Sequence, residues 1–334
     1  MNIKDIAKLS GTSVATVSRV LNDDSQVTEK TRIKVLKVIE ETGYKPNYVG
    51  RSLRKLSSKK LLIMLPTIIN PFYSEIVEGF EDKARAKDYG VLLAVTHRKA
   101  MIEREYYDLL FTKQVDGVAS FIPVIGYDEI NEIARDYPFV ACCWNGGSEV
   151  NANYVCIDNT KAVYETVKYL AELGHTKIAI LNGEYPERLY EREREAGYLN
   201  ALRHLNIPIR EEYMVTCEYN HKDAYDKTAA FMALPDPPTA ILALSDDRAA
   251  GVLKYLNENG FIPGQDVDVV GFDNNPISQS TTPDITTIAQ PRYEIGQMAA
   301  QLLLEQIEDN KKPFKGIIMS HELIIRGSTR KEKR

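Results

Sequence analysis

The stretch Ile3-Lys4-Asp5-Ile6-Ala7-Lys8-Leu9-Ser10-Gly11-Thr12-Ser13-Val14-Ala15-Thr16-Val17-Ser18-Arg19-Val20-Leu21-Asn22 decides how the rest of the chain is read. Ile3, Ile6, Ala7 and Leu9 recur at helical spacing, with Lys4, Asp5 and Lys8 on the other side. Ser10-Gly11-Thr12 interrupts, and Gly11 supplies a backbone angle that a tight turn demands and other residues resist. Thr12 or Ser13 caps a second helix, in which Val17, Val20 and Leu21 recur at three and four residues. Ala7 is small where two crossing helices must approach, and Val17 is a β-branched plug beyond the turn. Ala, Gly and Val at these offsets mark a helix-turn-helix. Spacing alone leaves open a generic three-helix cap with no nucleic-acid role.

Charge argues against that alternative. Residues 1–60 hold 13 Lys and Arg against 6 Asp and Glu, whereas the remainder holds 29 against 41, for a net −5. A polyanion attracts such a head and repels such a body. Thr28 precedes a third helix, marked by Ile33, Leu36 or Lys37, and Ile39–Glu40, with Gly43 placed as its C-cap. In a helix-turn-helix the second helix reads bases with its N-terminal residues, here Ser13, Val14, Ala15, Thr16, Ser18 and Arg19. Val14 and Ala15 suit thymine methyl groups, and Arg19 suits a bidentate contact to guanine or, less informatively, a phosphate. Pro46 halts the preceding helix. A short helix from about Asn47 would put Val49 and Leu53 on one face. It is too short to be stable alone, and Gly50 costs it a further ~1 kcal/mol relative to Ala.

Beyond residue 60, short apolar runs alternate with helical patterns, from Leu61–Leu65 to Val267–Phe272. Two rounds of this alternation predict an α/β body of two doubly wound parallel sheets covered by helices. Ligands in such folds lie at the carboxyl ends of strands. Those ends carry Asn70-Pro71-Phe72-Tyr73, Trp144-Asn145-Gly146-Gly147, Ser245-Asp246-Asp247 and Asp273-Asn274-Asn275. Aromatics beside carboxylates and amides suit a polyhydroxylated ligand.

Ile3–Leu9, Ser13–Asn22 and Gly43-Tyr44-Lys45-Pro46-Asn47 resemble the head of the lactose/galactose repressor family of bacterial transcription regulators. In the body, Leu173–Ala179, Ser245–Gly251, Val269–Asp273 and Thr286 through Pro291 are similar to family signatures of the type I periplasmic-binding-protein fold. The resemblance implies a helix-turn-helix head at 1–46, a hinge helix at 47–57 and an effector-binding, dimerising body at 58–330. The N-lobe would take about 58–159 and 290–319, the C-lobe about 160–289 and 320–330, leaving a disordered basic tail at 331–334. It implies DNA contacts from Ser13, Val14, Ala15, Thr16, Ser18, Arg19, Asn22, Tyr44, Asn47, Arg51, Leu53 and Arg54, with Leu53 as a wedge in the minor groove. The family usually has alanine where Gly50 stands, which suggests a floppier hinge. Arg194 and Asp273 match the family's effector-contacting arginine and aspartate. Phe72, Tyr73, Trp144 and Tyr219 would form the walls, although Trp144 and Tyr219 read equally well as packing between lobes. Asp246 would be a helix N-cap and ligand contact, and His175 a loop residue capping a strand. Glu184–Glu195 reads as a solvated surface loop leading into a helix.

The expected partners are double-stranded operator DNA, a sugar-like small molecule and a second copy of the chain. No membrane is expected: the apolar run Leu61–Leu65 stops at Pro66, far short of the ~20 residues a span requires. The acidic N-terminus without an apolar segment reads as cytoplasmic. No cofactor or metal is expected, since Cys142, Cys143, Cys156 and Cys217 form no Cys-x-x-Cys pair and read as buried, reduced thiols. An enzyme is disfavoured by the lack of a Gly-x-Gly-x-x-Gly, a phosphate-binding loop or a nucleophile elbow. A free-standing sugar-binding transport protein is disfavoured by the basic head and the missing export signal; the resemblance leaves as a further alternative a regulator answering to a purine or a phosphorylated carrier protein.

Overall fold

The computed structural model describes residues 1–21, 26–44, 57–183, 189–309 and 311–330. Asn22, Asn47, Arg51, Leu53 and Arg54, the hinge segment except Ser57, and the tail 331–334 lie outside the described residues. The chain divides into two compact units, Met1–Ser58 and Lys59–Arg334.

In the first unit, α1 (Ile3–Ser10) begins with a reciprocal cap. The Asn2 Oδ1 accepts from the Lys4 and Asp5 amides, and the Asn2 amide donates to Asp5 Oδ2 at 2.8 Å. Gly11 closes the helix at φ 58, the left-handed region that glycine enters without a steric penalty. After the turn, Ser13 Oγ accepts from the Thr16 amide at 3.0 Å and caps α2 (Val14–Leu21). The third helix, α3 (Glu29–Thr42), ends at Gly43 with φ 60. Ile6, Ala7, Val17, Val20 and Val35 form the small core.

Three expected core positions are displaced. Leu9 is 57% exposed, because the buried stripe of α1 runs Ile3, Ile6, Ala7, Ser10; the Ser10 hydroxyl is satisfied by donating to the Ile6 carbonyl at 2.7 Å. On α3 the inward residues are Val35, Val38 and Ile39, so Ile33 and Leu36 face outward. Of the expected apolar residues on this helix, Ile39 faces the core.

The second unit contains two six-stranded sheets. In the first, β1 (Lys60–Leu65), β2 (Gly90–Val95), β3 (Gly117–Phe121), β4 (Phe139–Cys142), β5 (Asn153–Ile157) and β11 (Gly316–Met319) are ordered β11-β5-β4-β3-β1-β2, all parallel. In the second, β6 (Ile178–Asn182), β7 (Met214–Thr216), β8 (Ala240–Ala243), β9 (Asp268–Asp273), β10 (Thr286–Ala289) and β12 (Glu322–Ile324) are ordered β12-β10-β9-β8-β6-β7. Only β12 runs antiparallel to its neighbour. Both sheets therefore reverse strand order at their first strand, and the crevice outside the carboxyl ends at that reversal is where such sheets take ligands.

The connecting helices are α4 (Phe72–Arg85), α5 (Ala100–Phe111), α6 (Tyr127–Asp136), α7 (Asn159–Glu172), α8 (Leu189–His204), α9 (His221–Met232), α10 (Asp246–Glu258) and α11 (Arg292–Glu308). Sequence periodicity does not mark α9 or α11, nor the short strands β7, β10, β11 and β12. In α11 the apolar residues run on as Leu302-Leu303-Leu304 and blur the helical period. This helix packs against α4 at almost backbone contact. A Cβ on Gly79 would lie 2.1 Å from the Tyr293 carbonyl oxygen, and one on Gly296 would lie 2.0 Å from that of Ile76. The chain passes between the sheets three times, after β5, between β10 and α11, and between β11 and β12.

His175 sits in the loop before β6, 2% exposed, and bridges Thr239 Oγ1 and Asp268 Oδ2, each at 2.8 Å. It joins the starts of neighbouring strands. All four cysteines are free, and burial raises the thiol of each, with Cys156 and Cys217 pushed up to about 12. Among the described residues, no helix is long and apolar enough to cross a membrane.

Candidate functional site

On the first unit the short cap at Ser13 decides which α2 residues reach solvent. Ser13, Ala15 and Arg19 are exposed, and Thr16 and Ser18 are half-buried. Thr16 Oγ1 lies 2.9 Å from Ser13 Oγ, so the two hydroxyls already share a hydrogen bond. Ala15, Ser18 and Arg19 fall three and four residues apart on one outward face. Val14 and Tyr44 are only half-exposed and pack against the small core, which limits how far either extends outward.

On the second unit, a cleft opens at the carboxyl ends of both sheets. The first sheet contributes Asn70, Phe72 and Tyr73 after β1, Arg98 after β2, Ile122 after β3 and Cys143 after β4. The second contributes Tyr190, Glu191 and Arg194 on α8, Tyr219 after β7, Leu244 and Arg248 around the start of α10, and Asp273 at the end of β9. Arg98, Ile122, Cys143 and Asp273 have φ of 57, 51, 58 and 99. For β-branched Ile122 this is a rare backbone state, and such strain gathers where a fold holds a site.

Arg194 is held in place on three sides. Its Nε donates to Asn159 Oδ1 at 2.9 Å, its Nη1 to the Leu244 carbonyl at 3.4 Å, and its guanidinium lies 3.8 Å from the Phe272 ring centre. Asp273 accepts from Gln290 Nε2 at 2.7 Å. Burial raises the Asp273 carboxyl above its ordinary value, while Arg194 and the Gln290 bond pull it back down. Tyr219 donates to Asp247 Oδ2 at 2.7 Å, and burial together with Asp273 and Asp247 raises its phenol. That hydroxyl therefore stays protonated and offers the cleft an acceptor. Arg248 is 4% exposed and donates to the carbonyls of Cys217, Glu218 and Leu244, locking the turn that carries Tyr219.

Five of the seven expected effector residues thus meet in one cleft: Phe72, Tyr73, Arg194, Tyr219 and Asp273. Trp144 and Asp246 do not line it. Trp144 is 6% exposed and packs within the first sheet's core, 5.9 Å from the Tyr127 ring centre. Asp246 is fully buried, accepting from Thr287 Oγ1 and the Asn275 amide, each at 2.6 Å. Burial pushes its carboxyl up to about 8, partly opposed by the Thr287 bond. The N-cap of α10 is Ser245, one residue earlier than expected, with its hydroxyl accepting from the Arg248 amide.

The charge-dense stretch also differs from its reading. Helix α8 begins at Leu189, and Glu191 is buried with a carboxylate oxygen accepting from the Gly183 amide at 3.1 Å. Residues 184–188 lie outside the described set. The sequence does not single out Arg98, Ile122, Cys143, Tyr190, Glu191, Leu244 or Arg248 as lining residues. Arg98 follows the carboxyl end of β2, the kind of position where such folds place ligand contacts. A buried glutamate inside a run of charges leaves no sequence signal.

The comparisons with known proteins agree with this geometry. Residues 2–47 match the family described as "Bacterial regulatory proteins, lacI family", and residues 167–329 match "Periplasmic binding protein-like domain". The chain is 36% identical over 330 residues to the HTH-type transcriptional repressor CytR of Escherichia coli (strain K12), covering 98% of this chain and 96% of that one. The solved complex of the transcriptional regulator CelR with cellobiose is 25% identical, with a TM-score of 0.73 over 98% of this chain and 99% of that one. The lac repressor dimer bound to operator, 24% identical, shares the fold with a TM-score of 0.90 over 99% of each chain. The chain therefore belongs to the lacI family of bacterial regulatory proteins, which are transcriptional regulators rather than enzymes.

Proposed function

We propose that this regulator represses its genes as a cytoplasmic homodimer on a pseudo-palindromic operator and answers to a small, sugar-like effector in the cleft. The observation that carries the reading is the meeting of Arg194 and Asp273, from different elements, with Phe72, Tyr73 and Tyr219 around one cavity. A guanidinium and a carboxyl that share a cleft can hold vicinal hydroxyls, while ring faces cover the apolar side of a sugar. CelR, solved with cellobiose, supports that class. The same aromatic walls also suit the flat base of a nucleoside, which is the second reading.

In this scheme 1–46 is the DNA-binding head and 47–57 a hinge helix. The N-lobe comprises about 58–159 and 290–319, and the C-lobe about 160–289 and 320–330. Base reading is assigned to Ser13, Ala15, Thr16, Ser18 and Arg19, with Asn22, Tyr44, Asn47, Arg51, Leu53 and Arg54 as further DNA contacts and Val14 limited to its exposed edge. An effector alters DNA affinity only by binding two lobe arrangements unequally.

A thermal-shift panel of sugars, nucleosides and phosphosugars tests the effector. A ligand of the cleft raises the melting temperature in wild type and fails to do so in Asp273→Ala. An equal shift in both proteins would move the ligand elsewhere. For the head, Arg19→Ala should weaken binding to the chain's own promoter fragment about tenfold or more while sparing random duplex. Equal losses in a gel-shift titration would reduce Arg19 to a backbone contact.

A further inference from the structure

Just behind the cleft, one side chain joins the two sheets. Arg292 starts α11, which packs on the first sheet's α4, yet its guanidinium reaches into the second sheet's turn after β9. Nη1 donates to Asn275 Oδ1 at 2.7 Å, and Nη2 donates to the Asn274 carbonyl at 3.0 Å and to Glu75 Oε1 at 2.6 Å. Glu75 lies in the first turn of α4, two residues beyond Tyr73. Asn274 and Asn275 directly follow Asp273. One guanidinium therefore ties the helix turn carrying the aromatic wall to the turn carrying the effector carboxyl.

That second turn is strained and held from several directions. Asp273 and Asn274 are both left-handed, at φ 99 and 55. Gln290 holds the Asp273 carboxyl, Arg326 Nη2 donates to Asn274 Oδ1 at 2.7 Å, and the Asn275 amide donates to Asp246. Gln290 and Arg292 belong to the second inter-sheet crossing, and Arg326 follows the third. The seam is also incompletely satisfied. Arg292 is 6% exposed and Asn275 fully buried, yet Arg292 Nε and Asn275 Nδ2 have no hydrogen-bond partner among the described residues. An ion pair with one half-exposed partner and unmet donors beside it contributes little net stability but fixes a geometry.

We propose that Arg292 is a positioning residue and interlobe latch: its bonds to Glu75, Asn274 and Asn275 set the angle between the lobes and hold Asp273 toward the cleft. The latch deepens the effector reading by naming the contact through which a ligand on Asp273 registers at α4. A ligand that draws on the Asp273 turn disturbs the Asn274 carbonyl and Asn275 side chain, and through Arg292 the hold on Glu75.

The test needs no effector. Spin labels at Lys87→Cys, in the first lobe, and Lys254→Cys, in the second, report the interlobe distance in the full chain, with labelled protein diluted by unlabelled chain. Both sites are exposed, and the unsubstituted chain carried through the same labelling corrects for native thiols. Wild type should give one narrow distribution. Arg292→Met should shift or broaden it by about 2 Å or more. Glu75→Gln, which alters a half-exposed partner and preserves shape, should move it the same way by less, and Arg292→Lys, with one ammonium in place of two terminal nitrogens, should restore the wild-type distribution only in part. A wild-type distribution in folded Arg292→Met and Glu75→Gln would overturn the latch. The effector reading would survive that result, since the thermal-shift panel tests it separately.

Discussion

The two sheets share one strand order yet face the cleft with different chemistry. The first presents Asn70, Phe72, Tyr73, Ile122 and Cys143, with Arg98 as its charged side chain. The second presents Glu191, Arg194, Arg248 and Asp273, with Tyr190, Tyr219 and Leu244 between them. Equivalent backbone positions at strand ends have become an apolar wall on one side and a charged clamp on the other. Topology fixes where a ligand sits, and the side chains at those ends decide what it is. The second lobe is expected to supply orientation and most of the affinity, and the first to cover the ligand from water.

The most direct way to break this contrast is Asp273→Ala. Loss of a hydrogen-bonding carboxyl should weaken binding of the panel-selected compound about 100-fold by calorimetry. A loss as small as that of a wall residue would equalise the two lobes. On the first lobe, Phe72→Leu should cost about tenfold, by removing ring contact without removing a charge. Trp144→Leu should leave affinity within about twofold while lowering the melting temperature, because the indole packs inside the first sheet's core. A ligand effect larger than that of Phe72→Leu would return Trp144 to the wall.

The buried charge of the second lobe has a signature in pH. The Asp246 carboxyl titrates at about 8 in the folded chain, against about 3.9 when unfolded. Between these values the folded state binds the extra proton, so stability falls as pH rises from about 4 to about 8 and is level in this respect above. Asp246→Asn mimics the protonated form and cannot ionise. Its melting temperature relative to wild type should therefore climb steadily from pH 5 to pH 8. A constant difference across that range would show that Asp246 is ionised in the folded chain.

Legibility in the sequence followed how local each cause was. Gly11, Ser13 and Gly43 act on their own turns, so the helix boundaries of the head could be read directly. Phe72 and Tyr73 follow the end of a strand, Arg194 is marked by a family motif, and Asp273 by both. Leu9, Ile33 and Leu36 misled because an apolar side chain names a helix but not its buried face. Trp144 misled because a large aromatic at a strand end packs inward as readily as it faces a ligand. Glu191 and Arg292 were invisible: their roles depend on Gly183, Glu75 and Asn275, which come near only in the folded chain.

The short strands β11 and β12 bear on how the molecule is made. Residues 316–319 finish the border of one sheet and residues 322–324 that of the other, so a single late segment zips up both. Until it leaves the ribosome, each half-built layer shows a bare backbone rim of the kind that invites mispairing with neighbouring chains. Neither half is a continuous piece of polypeptide, so neither can mature before its sibling. Both become whole within the same few codons of translation.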